Sequence, residues 1–473
     1  MRILFVAAEI APLVKVGGLA DVIGSLPKAL NRLGHDVRVM IPKYGTIDLV
    51  GCKATPVVDE FELSVAGMVE RVSLEMLTLE NALKVYLVDN EDFIKVREPY
   101  GEGELERFLL FCVAVVDILP RMGWQPEIVH CHDWHTGLIP LGLKAAGGRY
   151  VSFFTIHNLA YQGNFDASFL ANYGLEKWWR LSSPAVSEPP LNFLGAGILW
   201  ADVVTTVSET YAREILTAEY GEGLDYLLRR RQDRLFGIVN GLDYKEYNPL
   251  TDPFLVANYD VGSLDKRLIN KLALQEKVGL PKDAEVPLIG MVSRLDDQKG
   301  LDIVTESFAS LFQRAGVQMV VLGKGKERYH TLLRQAAMAY PQCLAVVIAF
   351  DEPLARLIYG GCDMFLMPSR FEPCGLGQLI AMRYGALPIV RHTGGLAETV
   401  ENLADDLSVG TGFAFYEYSA KALLEAIETA VNAYKNKQAW RKAMSRAMSR
   451  DFSWQASAQK YESLYRRALE GHL

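Results

Sequence analysis

Short apolar runs recur along the chain at residues 3–8, 37–41, 85–88, 128–132 and 151–156, the pattern of strands buried on both faces. Between the first two the rhythm changes to three and four. Val22, Ile23, Leu26, Ala29, Leu30 and Leu33 share one helical face, and Gly34-His35-Asp36 closes it. Strand, helix and strand in alternation predict a parallel sheet. Residues 54–89 depart from that rhythm: Phe61-Glu62-Leu63-Ser64-Val65 and Val72-Ser73-Leu74-Glu75-Met76 alternate strictly. That predicts an antiparallel excursion. Residues 201–208 read as a further strand running into Ser208 as an N-cap, and 235–243 as the last strand of this half.

Asn248-Pro249 and Thr251-Asp252-Pro253 open a less periodic stretch that reads as a connection. A second strand series follows at 288–293, 317–322, 344–349, 364–367 and 387–390, with helical spacing between its members. This predicts a second doubly wound parallel sheet. Phe452-Ser453-Trp454 starts a last helix whose face carries Tyr461, Leu464, Tyr465 and Ala468. At 473 residues the chain suits two large α/β domains. The expected division is 1–248, 249–455 and a terminal helix, 456–473, packed back on the first domain.

Charge narrows the partners. A formal net charge of −8 argues against nucleic acid or an anionic membrane, so an anionic ligand needs its own local cations. No 18-residue apolar run occurs, so no membrane span is expected, and Arg2 and Glu9 interrupt the N-terminal segment too soon for a signal peptide. The six cysteines, at 52, 112, 131, 343, 362 and 374, form no C-x-x-C pair and no zinc spacing. They read as reduced thiols of a cytoplasmic enzyme.

Candidate chemistry lies where strands end. The run 364–367 leads into Pro368-Ser369-Arg370-Phe371-Glu372-Pro373-Cys374-Gly375-Leu376, and a helix is expected over 375–384. Glu372 is either a hydroxyl-binding carboxylate or a helix cap, and the helix start offers N–H groups to an anion. Ser293-Arg294-Leu295-Asp296-Asp297-Gln298-Lys299-Gly300 brings two cations to another strand end. Arg294 and Lys299 suit a diphosphate. Lys15-Val16-Gly17-Gly18 is either a tight turn with a solvated lysine or a close backbone approach with a cation beside it. Thr393-Gly394-Gly395-Leu396 repeats the glycine pair before a helix and reads as placing backbone donors near a second phosphate.

Three histidines and Asp133 fall within His130-Cys131-His132-Asp133-Trp134-His135, yet no further ligand cluster accompanies them, so no metal is expected. Asp133 and Trp134 at a strand end suit a sugar. His157 is a binding residue or a backbone-capping one, Asn240 a turn or a ligand contact, and Phe350 a core aromatic or a platform for a base. Residues 164–195 are aromatic-rich and read as a flap.

Taken in order, these motifs resemble the bacterial glycogen synthase and plant starch synthase family over nearly the whole chain. The stretches His157-Asn158-Leu159-Ala160-Tyr161-Gln162-Gly163 and Ser369 to Leu376 are among the most specific. The resemblance implies an α/β chain of two facing Rossmann-like domains with an interdomain cleft, the GT-B architecture. It implies a retaining transferase moving glucose from ADP-glucose to the non-reducing end of an α-1,4-glucan, without cofactor or metal. Nucleotide sugar and glucan are then its partners, in the cytoplasm, or in a plastid stroma or glucan granule in a photosynthetic eukaryote. By resemblance Lys15, Arg294 and Lys299 are the diphosphate cations. Gly18 and Cys374, Gly375, Leu376 and Gly377 frame the donor, with Asn240 on its sugar and Phe350 on its base. Glu372 takes sugar hydroxyls, His157 sits beside the reacting sugar, Asp21 lies in the cleft, and Asp133 and Trp134 serve the acceptor. Val16, Gly377 and Glu398 depart from the family's common threonine, threonine and aspartate. Rival readings are a glucan-binding or priming scaffold on this fold, a nicotinamide dehydrogenase, and a sibling transferase using UDP-glucose. The dehydrogenase lacks a G-x-G-x-x-G loop in the right context.

Overall fold

A computed structural model describes residues 1–47, 54–65, 68–79, 82–174, 192–405 and 407–472. Cys52 and most of the expected flap, residues 175–191, lie outside the described residues. The chain divides into two compact units, Met1–Gly241 with Trp454–Leu473, and Leu242–Ser453. The first crossing thus falls after Gly241 rather than after 248, and the return precedes Trp454 rather than 456. A Cβ at Gly241 would lie 2.4 Å from the Cα of Trp454, so the backbone contact at the crossing requires glycine.

Among the described residues the first unit has nine strands: β1 (Arg2–Val6), β2 (Asp36–Pro42), β3 (Thr55–Val65), β4 (Met68–Thr78), β5 (Lys84–Asp89), β6 (Ile128–His132), β7 (Val151–Ile156), β8 (Val203–Thr206) and β9 (Leu235–Gly237). Their order is β3-β4-β5-β2-β1-β6-β7-β8-β9. β4 runs antiparallel to both of its neighbours, β3 and β5, in the alternating stretch, and the other pairings are parallel. Ile3, Leu4, Phe5 and Val6 are fully buried, which is why this central strand reads as an unbroken apolar run. The helix Gly18–Arg32 buries Val22, Ile23, Leu26, Ala29 and Leu30 against it and ends at Gly34, φ +90°. The terminal helix Trp454–Leu469 adds Trp454, Ala458, Tyr461, Leu464 and Tyr465 to the same core.

Among the described residues the second unit has six parallel strands: β10 (Leu288–Val292), β11 (Gln318–Gly323), β12 (Leu344–Ile348), β13 (Met364–Met367), β14 (Leu387–Arg391) and β15 (Phe413–Phe415). Their order is β12-β11-β10-β13-β14-β15. β15 escapes sequence reading because three residues are too few to show a period. In both sheets the chain winds outward from a first strand and then returns to its other side. The switch points, β1/β6 and β10/β13, are where such sheets bind ligands at the carboxyl ends of their strands. Most candidate residues follow β1, β6, β10 and β13, while His157 follows β7, Asn240 follows β9 and Phe350 follows β12.

Candidate active site

In the second unit β10 and β13 are neighbours, so the segments that follow them are brought together. Lys299 Nζ lies 2.6 Å from Glu372 Oε2, and Ser369 donates its hydroxyl to the same oxygen at 2.9 Å. Glu372 is 6% exposed. Its carboxylate meets these side chains rather than helix N–H groups, so the helix-cap reading fails. The helix runs Gly377–Arg383, two residues later than the expected start, and its N-cap, Leu376, makes no side-chain bond. Its first N–H groups therefore have no intrahelical partner. The two segments are laced: Arg370 N–H donates to the Gln298 carbonyl at 2.8 Å, and Gln298 Nε2 to the Phe371 carbonyl at 3.2 Å. Gly300, at φ +73°, permits this, because a Cβ there would lie 2.1 Å from the Pro368 carbonyl oxygen. Arg294, more than half exposed, pairs with Asp296 at 3.0 Å and donates to Gln298 at 3.1 Å.

The glycine pair after β14 has a different task from the one expected. Gly395 N–H donates to the carbonyls of Glu372 and Pro373 at 3.0 and 3.2 Å. A Cβ on Gly394 would lie 2.0 Å from the Glu372 carbonyl oxygen, and one on Gly395 2.0 Å from that of Cys374. The pair supports the Glu372 segment from behind and its second N–H is committed there, which corrects the reading of it as phosphate donors. Gln378, fully buried, ties the same turn by donating to the carbonyls of Cys374 and Gly375. The Cys374 thiol is buried and Gly375 turns at φ +74°. Leu376 packs against the unit's core. At Gly377 a Cβ would meet the Phe365 ring at 3.0 Å and the Met367 sulfur at 3.1 Å, so a threonine here would require its strand neighbours to yield. Phe350 is 89% exposed, which excludes the core reading and leaves its ring available.

In the first unit the segment after β1 is held by Glu9, which sequence reading marks only as a strand end. Its buried carboxylate accepts the N–H groups of Val16 and Gly17 at 2.6 and 3.2 Å. Burial raises the Glu9 pKa, and those two donors oppose the rise. The loop so fixed presents Lys15, whose ammonium meets Asp21 at 2.7 Å. A Cβ at Gly18 would meet nothing within 4 Å, so the helix start is open there.

After β6 the backbone of Asp133 adopts φ 57°, ψ 179°, a conformation that costs about 1–3 kcal/mol and is almost confined to glycine. Its carboxylate accepts the His157 N–H at 2.8 Å and also that of Asn158. Burial pushes this carboxyl up to about 7 against those bonds. Asp133 therefore anchors the backbone that carries His157. Trp134 is 5% exposed, packed edge-on to Phe108 at 5.2 Å, with Gly163 against its indole. The stacking role read for it gives way to a packing one.

His132 Nδ1 lies 3.0 Å from His157 Nε2. His130 stacks on His132 at 4.2 Å, and its two ring nitrogens meet Tyr465 Oη and Thr155 Oγ1, both at 2.6 Å. Burial pushes His157 down to about 3, so its ring is neutral at physiological pH. Asn240 is buried, and its Oδ1 has no hydrogen-bond partner among the described residues. Such an acceptor is an open valence at a strand end. Among the described residues no group of three or more His, Cys, Asp or Glu is placed to hold a metal ion.

Each of the three candidate cations is thus paired with a carboxylate: Lys15 with Asp21, Arg294 with Asp296, and Lys299 with Glu372. Fixed cations suit a leaving phosphate, a neutral histidine suits hydroxyls, and an exposed phenyl suits a base. Residues 2–230 match the family described as starch synthase catalytic domain, and 274–446 match glycosyl transferases group 1. The glycogen synthase of Geotalea daltonii is 45% identical over 481 residues, covering 99% of each chain. That of Anoxybacillus flavithermus is 45% identical over 484 residues, covering 100% of this chain and 99% of its own. Among solved structures, the catalytic domain of starch synthase IV from Arabidopsis thaliana, bound to ADP and acarbose, superposes with a TM-score of 0.89. It is 34% identical and covers 99% of both chains. A sucrose-phosphate synthase from Thermosynechococcus elongatus, 19% identical over 99% of each chain with a TM-score of 0.62, shares the fold alone.

Proposed function

The chain belongs to the glycogen and starch synthase family, a retaining glycosyltransferase of the GT-B fold, and from that premise we propose how its own residues act. The donor is ADP-glucose and the acceptor the non-reducing end of an α-1,4-glucan. The bond from the glucosyl carbon to the diphosphate breaks, and a bond from that carbon to the acceptor oxygen forms on the same face. The acceptor's hydroxyl proton passes to the leaving phosphate. Negative charge then gathers on the diphosphate, where Lys15, Arg294 and Lys299 stabilise it. The N–H groups around Gly18 and Gly375–Gly377 add to that field. These fixed cations do the work a divalent ion does in other phosphate-transfer sites, so no metal is invoked.

Glu372 and neutral His157 orient glucose through its hydroxyls, with Asn240 supplying a further acceptor. Phe350 stacks on the nucleobase. Asp21 holds Lys15 in place and Asp133 holds the His157 backbone, so both serve geometry before chemistry. No helix among the described residues is long and apolar enough to cross a membrane. We assign the enzyme to the cytoplasm, or to a plastid in a photosynthetic eukaryote.

The observation that supports this reading best is the Lys299–Glu372 pair, its carboxylate buried and its ammonium partly so, beside the switch point of the second sheet. The test mixes the protein with maltooligosaccharide and either ADP-glucose or UDP-glucose, with and without a chelator. Nucleoside diphosphate release and chain growth are followed. Elongation with ADP-glucose that survives chelation is expected. Growth with UDP-glucose alone would move the donor, and no turnover with either would favour the scaffold.

A further inference from the structure

His132 touches no ligand in the reading above, yet its ring is bonded to the histidine that does. It is fully buried, with Phe5 stacked at 5.1 Å and His130 at 4.2 Å. Burial holds it well below the ordinary imidazole range and pushes His157 down to about 3, so both rings are neutral at physiological pH. A neutral imidazole carries one N–H. The 3.0 Å contact between His132 Nδ1 and His157 Nε2 therefore needs one proton between the two nitrogens.

Either ring can supply it. If His157 donates, His132 carries its own proton on Nε2, which is buried without a partner among the described residues. If His132 donates, that nitrogen keeps a bare lone pair instead. Buried N–H groups lacking an acceptor are the rarer of the two. We infer that His132 donates from Nδ1 to His157 Nε2, and so fixes His157 in the tautomer that carries its proton on Nδ1. His132 is then a positioning residue: it makes His157 a hydrogen-bond donor to a sugar hydroxyl oxygen and removes its ability to accept one. The inference rests on the sugar-binding role proposed for His157.

The experiment is a long-range proton–nitrogen correlation spectrum of protein labelled with ¹⁵N-histidine, without substrate. A His157→Gln spectrum assigns the signals. The Nδ1–H tautomer is expected for His157 in the wild type. His132→Phe keeps an aromatic ring in the stack but removes the donor. It should shift His157 toward the other tautomer and lower kcat on the order of tenfold, the worth of one hydrogen bond. His132→Asn, whose amide can donate near the Nδ1 position, should restore the tautomer and much of the rate. A wild-type His157 protonated on Nε2 overturns the inference, even if His132→Phe fails to fold. So does an unchanged tautomer in His132→Phe. Because the tautomer is read without substrate, absence of glucosyl transfer would defeat the proposed function while leaving this assignment supported.

Discussion

Lys299 and Glu372 are 73 positions apart in sequence, and their side chains meet at 2.6 Å in a part-buried contact of the second unit. Lys299→Ala and Glu372→Ala should each lower kcat by on the order of a hundredfold or more, as expected for loss of a group stabilising the leaving diphosphate or the sugar. Each should also cost about 2 kcal/mol of stability, less than for a fully buried pair, because Lys299 keeps some contact with water. Turnover near wild type in a folded variant would show that the pair is structural only.

Phe350 offers the opposite case, a large apolar ring with no structural duty. At 89% exposure its removal should leave stability within about 0.5 kcal/mol. Stacking on a base is worth about 1–3 kcal/mol, so Phe350→Ala should weaken ADP binding by roughly tenfold or more. Titration calorimetry with ADP measures it directly. Unchanged affinity would remove Phe350 from the donor site.

Asp133 should leave a pH signature. Its carboxyl is pushed up to about 7 by burial, whereas the unfolded chain ionises it near pH 4. Between those values the native state holds a proton that the unfolded state has released. Stability contributed by this group is therefore present below about pH 4 and declines as pH rises toward 7. Asp133→Asn keeps an oxygen for the His157 N–H but cannot ionise. The variant should show a flatter dependence of the urea midpoint on pH between 4 and 7. An identical slope in the two proteins would place the shift elsewhere.

The sheets were legible because a strand buried on both faces must be apolar throughout, and residues 3–6, 288–291 and 364–366 are. The cations stand out as candidates because charge breaks the apolar run at the carboxyl end of such a strand, whereas their carboxylate partners emerge from the structure. Contacts set by tertiary approach were not. Nothing local in Gly394-Gly395 shows that its N–H is taken by the Glu372 segment, and nothing in Trp134 shows that Gly163 lies against its ring. Glu9 left one signal, a carboxylate directly after an apolar strand, and Gln378 another, an amide within an apolar helical face. Both act on backbone that sequence places several residues away.

Tyr465 tests whether the terminal helix is part of the first unit's chemistry or only packed beside it. Its hydroxyl is 2.6 Å from His130 Nδ1, deep in the core, and the other His130 nitrogen is taken by Thr155. Thr155 in turn bonds Thr205 at 2.6 Å, so the hydroxyl ends a polar chain running across β6, β7 and β8. Tyr465→Phe removes one oxygen and leaves a fully buried ring nitrogen without a partner, which should cost about 1–3 kcal/mol. Because His130 stacks on His132, the change should also lower kcat severalfold while leaving the donor KM near wild type. Chemical denaturation followed by steady-state kinetics separates the two effects. A variant as stable and as fast as wild type would mean that His130 finds another partner and that the terminal helix contributes packing alone.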